Sequence, residues 1–263
     1  MTIRSVPPGF APLLELLELE QPRVVTTAQL GDMAQDAALR MPVDLVVRRL
    51  RERGWLLPLA TRGAWEFAPA ARAGAFGSGD PLIELRAVLA RDPEVSFAVA
   101  AESAAYLLGF VSRRPEVECV GAPPGARTPR SFDTFRVVRW SPATPLHRRD
   151  GLPVWSPATL LAFMAARPAG YHDWPNVGEW LSQAARAVGV EDLIEELGDR
   201  SASAWYRAAY LMDRGGVADA ATALASAAPS GAGPYYLGNR AVPGRYHAAY
   251  KVIDSTGLEI SSA

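Results

Sequence analysis

Between residues 23 and 68 the hydrophobic periodicity changes repeatedly, and each change is punctuated by a residue suited to it. Val24-Val25 is a short β-prone pair. Thr26 or Thr27 supplies the side-chain oxygen that starts a helix, and this helix runs to about Gln35. Met41 to Arg53 predicts a further helix, because Val43, Val46, Val47 and Leu50 recur at i, i+3, i+4 and i+7. Pro42 suits its start and Gly54 its C-terminal cap. Two β-prone runs follow, Trp55 to Leu59 and Ala64 to Ala68, joined at Thr61-Arg62-Gly63. An amphipathic helix over Pro8 to Leu19 precedes the whole set. Strand, helix, helix and hairpin in this order predict a winged helix-turn-helix, a module that places one helix in a DNA groove.

The charge pattern agrees. From residue 38 to 72 the basic residues are Arg40, Arg48, Arg49, Arg51, Arg53, Arg62 and Arg72, against Asp44, Glu52 and Glu66, an excess of four positive charges. Phosphates attract such a patch, with an affinity that falls steeply with salt. Arg48 and Arg49 lie off the apolar stripe, where they reach guanine edges or phosphates. Arg51 also lies off that stripe, Arg40 gives phosphate support, and Arg62 at the hairpin tip meets a minor groove or phosphate. Thr27 and Gln29 anchor the DNA backbone from the preceding helix. Two other readings remain open at this stage: a solvated helix face paired with Glu52, and a protein-interaction module.

Composition narrows the function classes. With 263 residues, 49% hydrophobic and 21% charged, the chain has the make-up of a soluble globular protein of one large or two ordinary domains. A net charge of −1 excludes a uniformly basic protein but leaves a local basic patch possible. Lys251 is the only lysine. The single cysteine, Cys119, reads as a small core or strand residue. The N-terminus shows no signal peptide, since Arg4 is followed by Pro7-Pro8, and no run reaches the ~18 apolar residues of a membrane helix. No membrane partner and a cytoplasmic location are expected. His147, His172 and His247 are far apart in the chain, so no metal site and no cofactor are expected. No nucleophile elbow or P-loop is present, and no catalytic residue is assigned. Phe76-Gly77-Ser78 followed by Asp92-Pro93-Glu94 imitates a nucleotidyltransferase signature, but Pro93 is unsuited to the strand on which two metal-binding carboxylates would alternate.

The small-residue, turn-rich stretch from Ala68 to Pro81 predicts a linker, and with it domains at 1–75 and 80–263. The fold class expected is α+β: an N-terminal winged helix-turn-helix domain, then a larger mixed α/β domain. In the second part, helices are expected at Pro81 to Leu89, Ala98 to Leu108, from Pro157, Val177 to Ala187, Glu191 to Leu197, Ala204 to Asp213 and Val217 to Ala227. Strands are expected at Glu116 to Val120, Thr134 to Trp140, Leu152 to Trp155, Tyr235 to Leu237 and Tyr246 to Ile253. A second basic stretch holds Arg113, Arg114, Arg127, Arg130, Arg136, Arg139, Arg148 and Arg149, and either extends a DNA footprint, holds an acidic partner or is solvated surface. The acidic segment around Glu191-Asp192 and Glu195-Glu196 reads as an amphipathic helix with a polar face. Tyr235-Tyr236 and the Trp174/Trp180 region suit a core, or else line an effector pocket.

Several segments resemble the AbiEi antitoxins of type IV toxin–antitoxin (abortive infection) systems. They are Arg53-Gly54-Trp55-Leu56-Leu57 with Thr61-Arg62-Gly63-Ala64-Trp65-Glu66-Phe67, then Ala100 to Phe110 with its hydrophobic-Gly-hydrophobic ending. Gly151-Leu152-Pro153-Val154-Trp155-Ser156-Pro157-Ala158-Thr159-Leu160-Leu161 and Ala204 to Asp213 complete the set. Where members often carry an acid soon after the Ser-Pro-x-Thr-Leu-Leu element, this chain has Ala162-Phe163-Met164. The resemblance implies a first domain that binds double-stranded DNA at inverted repeats upstream of its own operon. It implies a second domain that neutralises a nucleotidyltransferase-like toxin as cognate partner, supports operator binding, or both. The alternative is a winged-helix repressor with a small-molecule effector domain, outside any toxin–antitoxin pair.

Overall fold

A computed structural model describes residues 5–72 and 77–258. The chain divides into two compact units, Met1–Ser96 with Arg127–Thr134, and Phe97–Ala126 with Phe135–Ala263.

The first unit opens with helix α1 (Ala11–Glu20), whose Leu13, Leu14 and Leu17 are buried. Pro12, not Pro8, occupies its first turn, and Gln21 ends it in a left-handed conformation. Strand β1 (Val24–Thr26) runs directly into α2 (Thr27–Asp36). Thr26 is the cap: its hydroxyl accepts from Gln29 N at 3.2 Å while Gln29 Oε1 accepts from Thr26 N at 2.8 Å. This reciprocal pair satisfies two backbone donors that a helix start leaves orphaned. Helix α3 (Val43–Glu52) begins after Pro42 and buries Val46, Val47 and Leu50. Gly54 follows with φ +72°, the left-handed turn that glycine adopts without a Cβ clash. Strands β2 (Leu56–Pro58) and β3 (Ala64–Phe67) then form an antiparallel hairpin, and β3 pairs on its other side with β1. The sheet order β1-β3-β2 leaves β2 at an edge, where Pro58 costs no ladder bond. Phe10, Leu13, Leu17, Leu30, Val46, Leu50, Leu56 and Phe67 make one core between the three helices and the sheet.

The same unit continues past the expected linker. Helix α4 (Ile83–Arg91), assigned from sequence to the second domain, packs on β1 and β3 and buries Leu85, Ala87 and Val88. Part of that linker, residues 73–76, lies outside the described residues. Asp92 and Glu94 sit in the turn after α4, both exposed, with Asp92 Oδ1 accepting from Glu94 N at 3.3 Å. They do not alternate on a strand, so the nucleotidyltransferase imitation lacks its two-carboxylate geometry; its Phe76 lies outside the described residues.

The second unit is built on a five-stranded mixed sheet in the order β6-β5-β4-β8-β7. Its strands are β4 (Ala98–Val99), β5 (Cys119–Ala122), β6 (Arg136–Arg139), β7 (His147–Arg149) and β8 (Leu152–Val154). Helix α5 (Ala101–Leu107) follows β4, so the single helix expected from Ala98 is a strand and a helix joined at Ala101, which has φ +46°. Strand β7 was not expected. It pairs with β8 across Asp150-Gly151, both at positive φ, the conformation of a tight hairpin turn. Gly121 in β5 lies over Trp155, and a Cβ there would sit 2.7 Å from the indole nitrogen. Ser156 caps α6 (Pro157–Ala166) by accepting from Thr159 N at 3.0 Å. Pro157 to Ala165 are all buried, so α6 is the apolar axis of the unit. Helices α7 (Val177–Arg186), α8 (Val190–Leu197), α9 (Ala202–Arg214) and α10 (Ala218–Ala227) follow, with α9 packed against both α6 and α10. A three-stranded sheet, β9 (Tyr235–Leu237), β10 (Arg245–His247) and β11 (Val252–Asp254), packs on α9. The strand expected from Tyr246 to Ile253 is thus a hairpin, interrupted by a turn at Ala248–Tyr250 and by Lys251 at φ +54°.

Candidate nucleic-acid interface

Helix α3 has a clean division of faces. Val46, Val47 and Leu50 point into the core, while Asp44, Arg48, Arg51 and Glu52 are exposed and Leu45 and Arg49 are half-buried. Arg48 lies near the middle of the outward face, with its side chain 73% exposed. Its Nε is 2.9 Å from Glu52 Oε1. An exposed pair one turn apart contributes only about 0.5 kcal/mol, whereas a bidentate contact to a guanine contributes about 1–3 kcal/mol. The pair with Glu52 is thus too weak to hold Arg48 against a bidentate partner.

The flanks of α3 are tied to their neighbours. The Arg49 guanidinium lies 6.0 Å over the Phe10 ring and the Arg51 guanidinium 4.9 Å over the Trp65 ring. Each holds its stem against an aromatic face and leaves the charge at the surface. Arg40 is exposed on the segment between α2 and α3. Arg53 bonds to Ser5 Oγ. Glu66 and Arg72 pair with each other at 2.6 Å, with Glu66 buried, so both leave the surface charge pattern.

The remaining candidates are at the start of α2 and at the hairpin tip. Gln29 uses its side-chain carbonyl in the Thr26 cap. Thr27 Oγ1 lies 3.4 Å from Gly63 O and accepts from Trp65 Nε1 at 3.4 Å. Thr27 thus ties α2 to the hairpin, whereas exposed Gln29 engages its side-chain carbonyl in the cap of its own helix. Arg62 is exposed at the tip. Contacts run from Thr27 to Gly63 and Trp65 and from Trp65 to Arg51, while Arg48 is on the outer face of α3.

Sequence reasoning found α4 as a helix but assigned it to the second domain and gave it no part in the hairpin. Glu84 Oε1 accepts from Ala60 N at 2.7 Å, and Glu84 Oε2 accepts from Thr61 N at 3.1 Å and from Thr61 Oγ1 at 2.8 Å. Arg91 Nη1 donates to Arg62 O at 3.3 Å. The only available signal was the apolar spacing Leu82, Leu85, Val88, which shows a buried face but not its partner.

The second basic stretch does not act as one surface. Arg127 and Arg130 fall in the first unit. Arg136 is drawn inward, bonding to Glu102, to Cys119 Sγ at 3.0 Å and to Gly170 O, and burial lowers its pKa. Arg139 Nη1 donates to Ala126 O at 2.6 Å, and Arg114 Nε pairs with buried Glu118 at 2.5 Å. Arg113, Arg148 and Arg149 remain exposed, the last two on the edge strand β7, where charge discourages pairing with another chain. Cys119 is buried in β5, and burial pushes its thiol up to about 12.

The acidic helix α8 turns one carboxylate inward. Glu196 Oε1 accepts from Ala143 N and Thr144 N at 3.0 Å, from Thr144 Oγ1 at 2.8 Å and from Thr159 Oγ1 at 2.6 Å. Ser156 Oγ lies 2.9 Å from Thr159 Oγ1 in the same network. Trp174 and Trp180 are core residues: Trp180 stacks on Phe110 at 5.6 Å and Tyr171 meets Trp174 edge-on at 5.7 Å. Tyr235 stacks on Tyr206 at 5.4 Å. No group of three metal-ligating side chains occurs among the described residues, and among them no helix is long and apolar enough to cross a membrane.

Residues 97–214 match the AbiEi antitoxin C-terminal domain, which bears out for that part of the chain the family its sequence resembles. The chain is also similar to the crystal structure of the RV2827C protein from Mycobacterium tuberculosis, with 28% identity and a TM-score of 0.79 over 98% of this chain and 94% of that one. No curated protein matches. The architecture is a mixed α+β fold that carries an AbiEi antitoxin domain.

Proposed function

We propose that the chain is a transcriptional autoregulator that binds duplex DNA through a winged helix-turn-helix, and the antitoxin of its operon. The observation that carries the DNA-binding half is the division of α3, an apolar face held in the core and an outward face with Arg48 at its middle, beside a hairpin that exposes Arg62. Helix α3 enters the major groove, with Arg48 and Arg49 at base edges or phosphates and Arg40, Arg51 and Arg62 at the backbone. Inverted repeats upstream of its own operon are the expected site, with the cytoplasm as its place of action. The match over residues 97–214 supports the antitoxin half, and a nucleotidyltransferase-like toxin is the partner it counteracts.

A gel-shift titration on the chain's own upstream region tests the first half. Arg48→Ala/Arg49→Ala is expected to abolish specific binding, a loss of about 2–6 kcal/mol if each side chain makes one good base contact. Unchanged specific affinity in that variant rejects the assignment of α3 as the reading helix. Growth rescue on co-expression with a neighbouring nucleotidyltransferase-like gene product tests the second half.

A further inference from the structure

The hairpin tip, residues 60–63, is tied at every position. Glu84 accepts from the amides of Ala60 and Thr61 and from the Thr61 hydroxyl. That hydroxyl also lies 2.9 Å from Ser131 Oγ. Arg91 Nη1 donates to Arg62 O at 3.3 Å. Gly63 O accepts from Thr27 N at 2.9 Å, and Gly63 itself needs φ +75°. A hairpin tip ordinarily belongs to the mobile part of a fold. Here residues of two helices hold the main chain, and the Arg62 side chain is left exposed, with no hydrogen bond or ion pair among the described residues.

We propose that Glu84 and Arg91, two turns apart on one face of α4, are positioning residues that pre-set the hairpin tip so that Arg62 meets a duplex phosphate. The inference rests on the DNA-binding reading above. A side chain presented from a fixed backbone loses less conformational freedom on binding than one carried by a loop that must first order. Glu84 and Arg91 touch no DNA in this scheme. They act through the carbonyl and amides of the tip.

The test is a salt titration of the full-length chain on mixed-sequence duplex DNA and on its own upstream region. In the parent chain, Arg62→Gln is expected to lower the slope of log Kobs against log salt by about 0.9, the signature of one lost phosphate contact. In a Glu84→Ala background the same Arg62→Gln change is expected to lower the slope by less than half as much, because the tip no longer presents the arginine. Arg91→Ala is expected to blunt the Arg62 effect in the same way, and Arg91→Lys, which keeps a donor, to restore it. Arg91 is exposed, so its variants keep the measurement open if Glu84→Ala does not fold. A purely structural brace lowers the unfolding midpoint without coupling to the Arg62 slope. Equal Arg62 effects in parent and variant backgrounds, with parent binding intact, overturn the brace alone. A parent chain that binds no duplex at low salt overturns both readings.

Discussion

At the scale of single residues, the interior of the second unit is governed by a few polar side chains whose partners are distant in sequence. Glu196 gathers four donors on one carboxylate oxygen while only 2% exposed. Glu196→Ala would strand Ala143 N, Thr144 N and two hydroxyls in the interior, and each orphaned donor costs about 1–3 kcal/mol. We expect a loss of about 3 kcal/mol or more, read as a lower denaturant midpoint, with far-ultraviolet dichroism retained below the new midpoint. Cys119 makes a different prediction. Its thiol is raised from 9.0 to about 12, so the native chain keeps a proton that the unfolded chain releases in that interval. Stability therefore falls as pH rises from 9 towards 12, and Cys119→Ala is expected to reduce that fall. At pH 8 a thiol reagent is expected to label Cys119 only on unfolding; rapid labelling of the native chain would contradict its burial. The Ser156 and Thr159 pair was legible as a helix cap and a family-like motif, but the carboxylate it serves was not. Glu196 lies on an acidic helix whose sequence reads as amphipathic, with its carboxylates on the polar face.

At the scale of elements, periodicity and capping predicted most of the first unit. Val43, Val46, Val47 and Leu50 were identified as the buried stripe of α3 from spacing alone, and the structure buries the last three and half-buries Val43 at the helix start. The capping residue of α2 was narrowed to two threonines, and the structure selects Thr26. Thr26→Ala removes the acceptor for Gln29 N and is expected to cost about 1 kcal/mol, measured by chemical unfolding. A loss near zero would mean that water replaces the hydroxyl at that amide. The misses have a common cause. Strand β7 and the hairpin of β10 and β11 are three residues per strand, too short for an alternation to register. For β7 the Asp150-Gly151 turn was an available signal. For β10 and β11 none was, since the left-handed position falls on Lys251.

At the scale of the whole molecule, the two compact units do not coincide with a single cut in the chain, because Arg127–Thr134 joins the first unit from the middle of the second. A chain cut after residue 75 lacks Leu85 and Val88, which α4 buries with the first unit. It is expected to unfold more easily than one cut after residue 96, by about 3 kcal/mol, the burial free energy of two such side chains. Equal midpoints would mean that α4 contributes nothing to the first unit. The sequence by itself determined the order strand, helix, helix, hairpin, the buried stripe of α3 and the placement of Arg48 and Arg62 away from the core. Those follow from local rules, since capping, glycine at positive φ and helical periodicity involve residues within a few positions of one another. Only the tertiary structure decided that α4 grips the hairpin tip, that Thr27 turns its hydroxyl to the hairpin, and that Arg136 and Glu196 face inward. Those are pairings across dozens of residues, and a polar side chain carries no sequence mark of which distant partner will satisfy it when it is taken out of water.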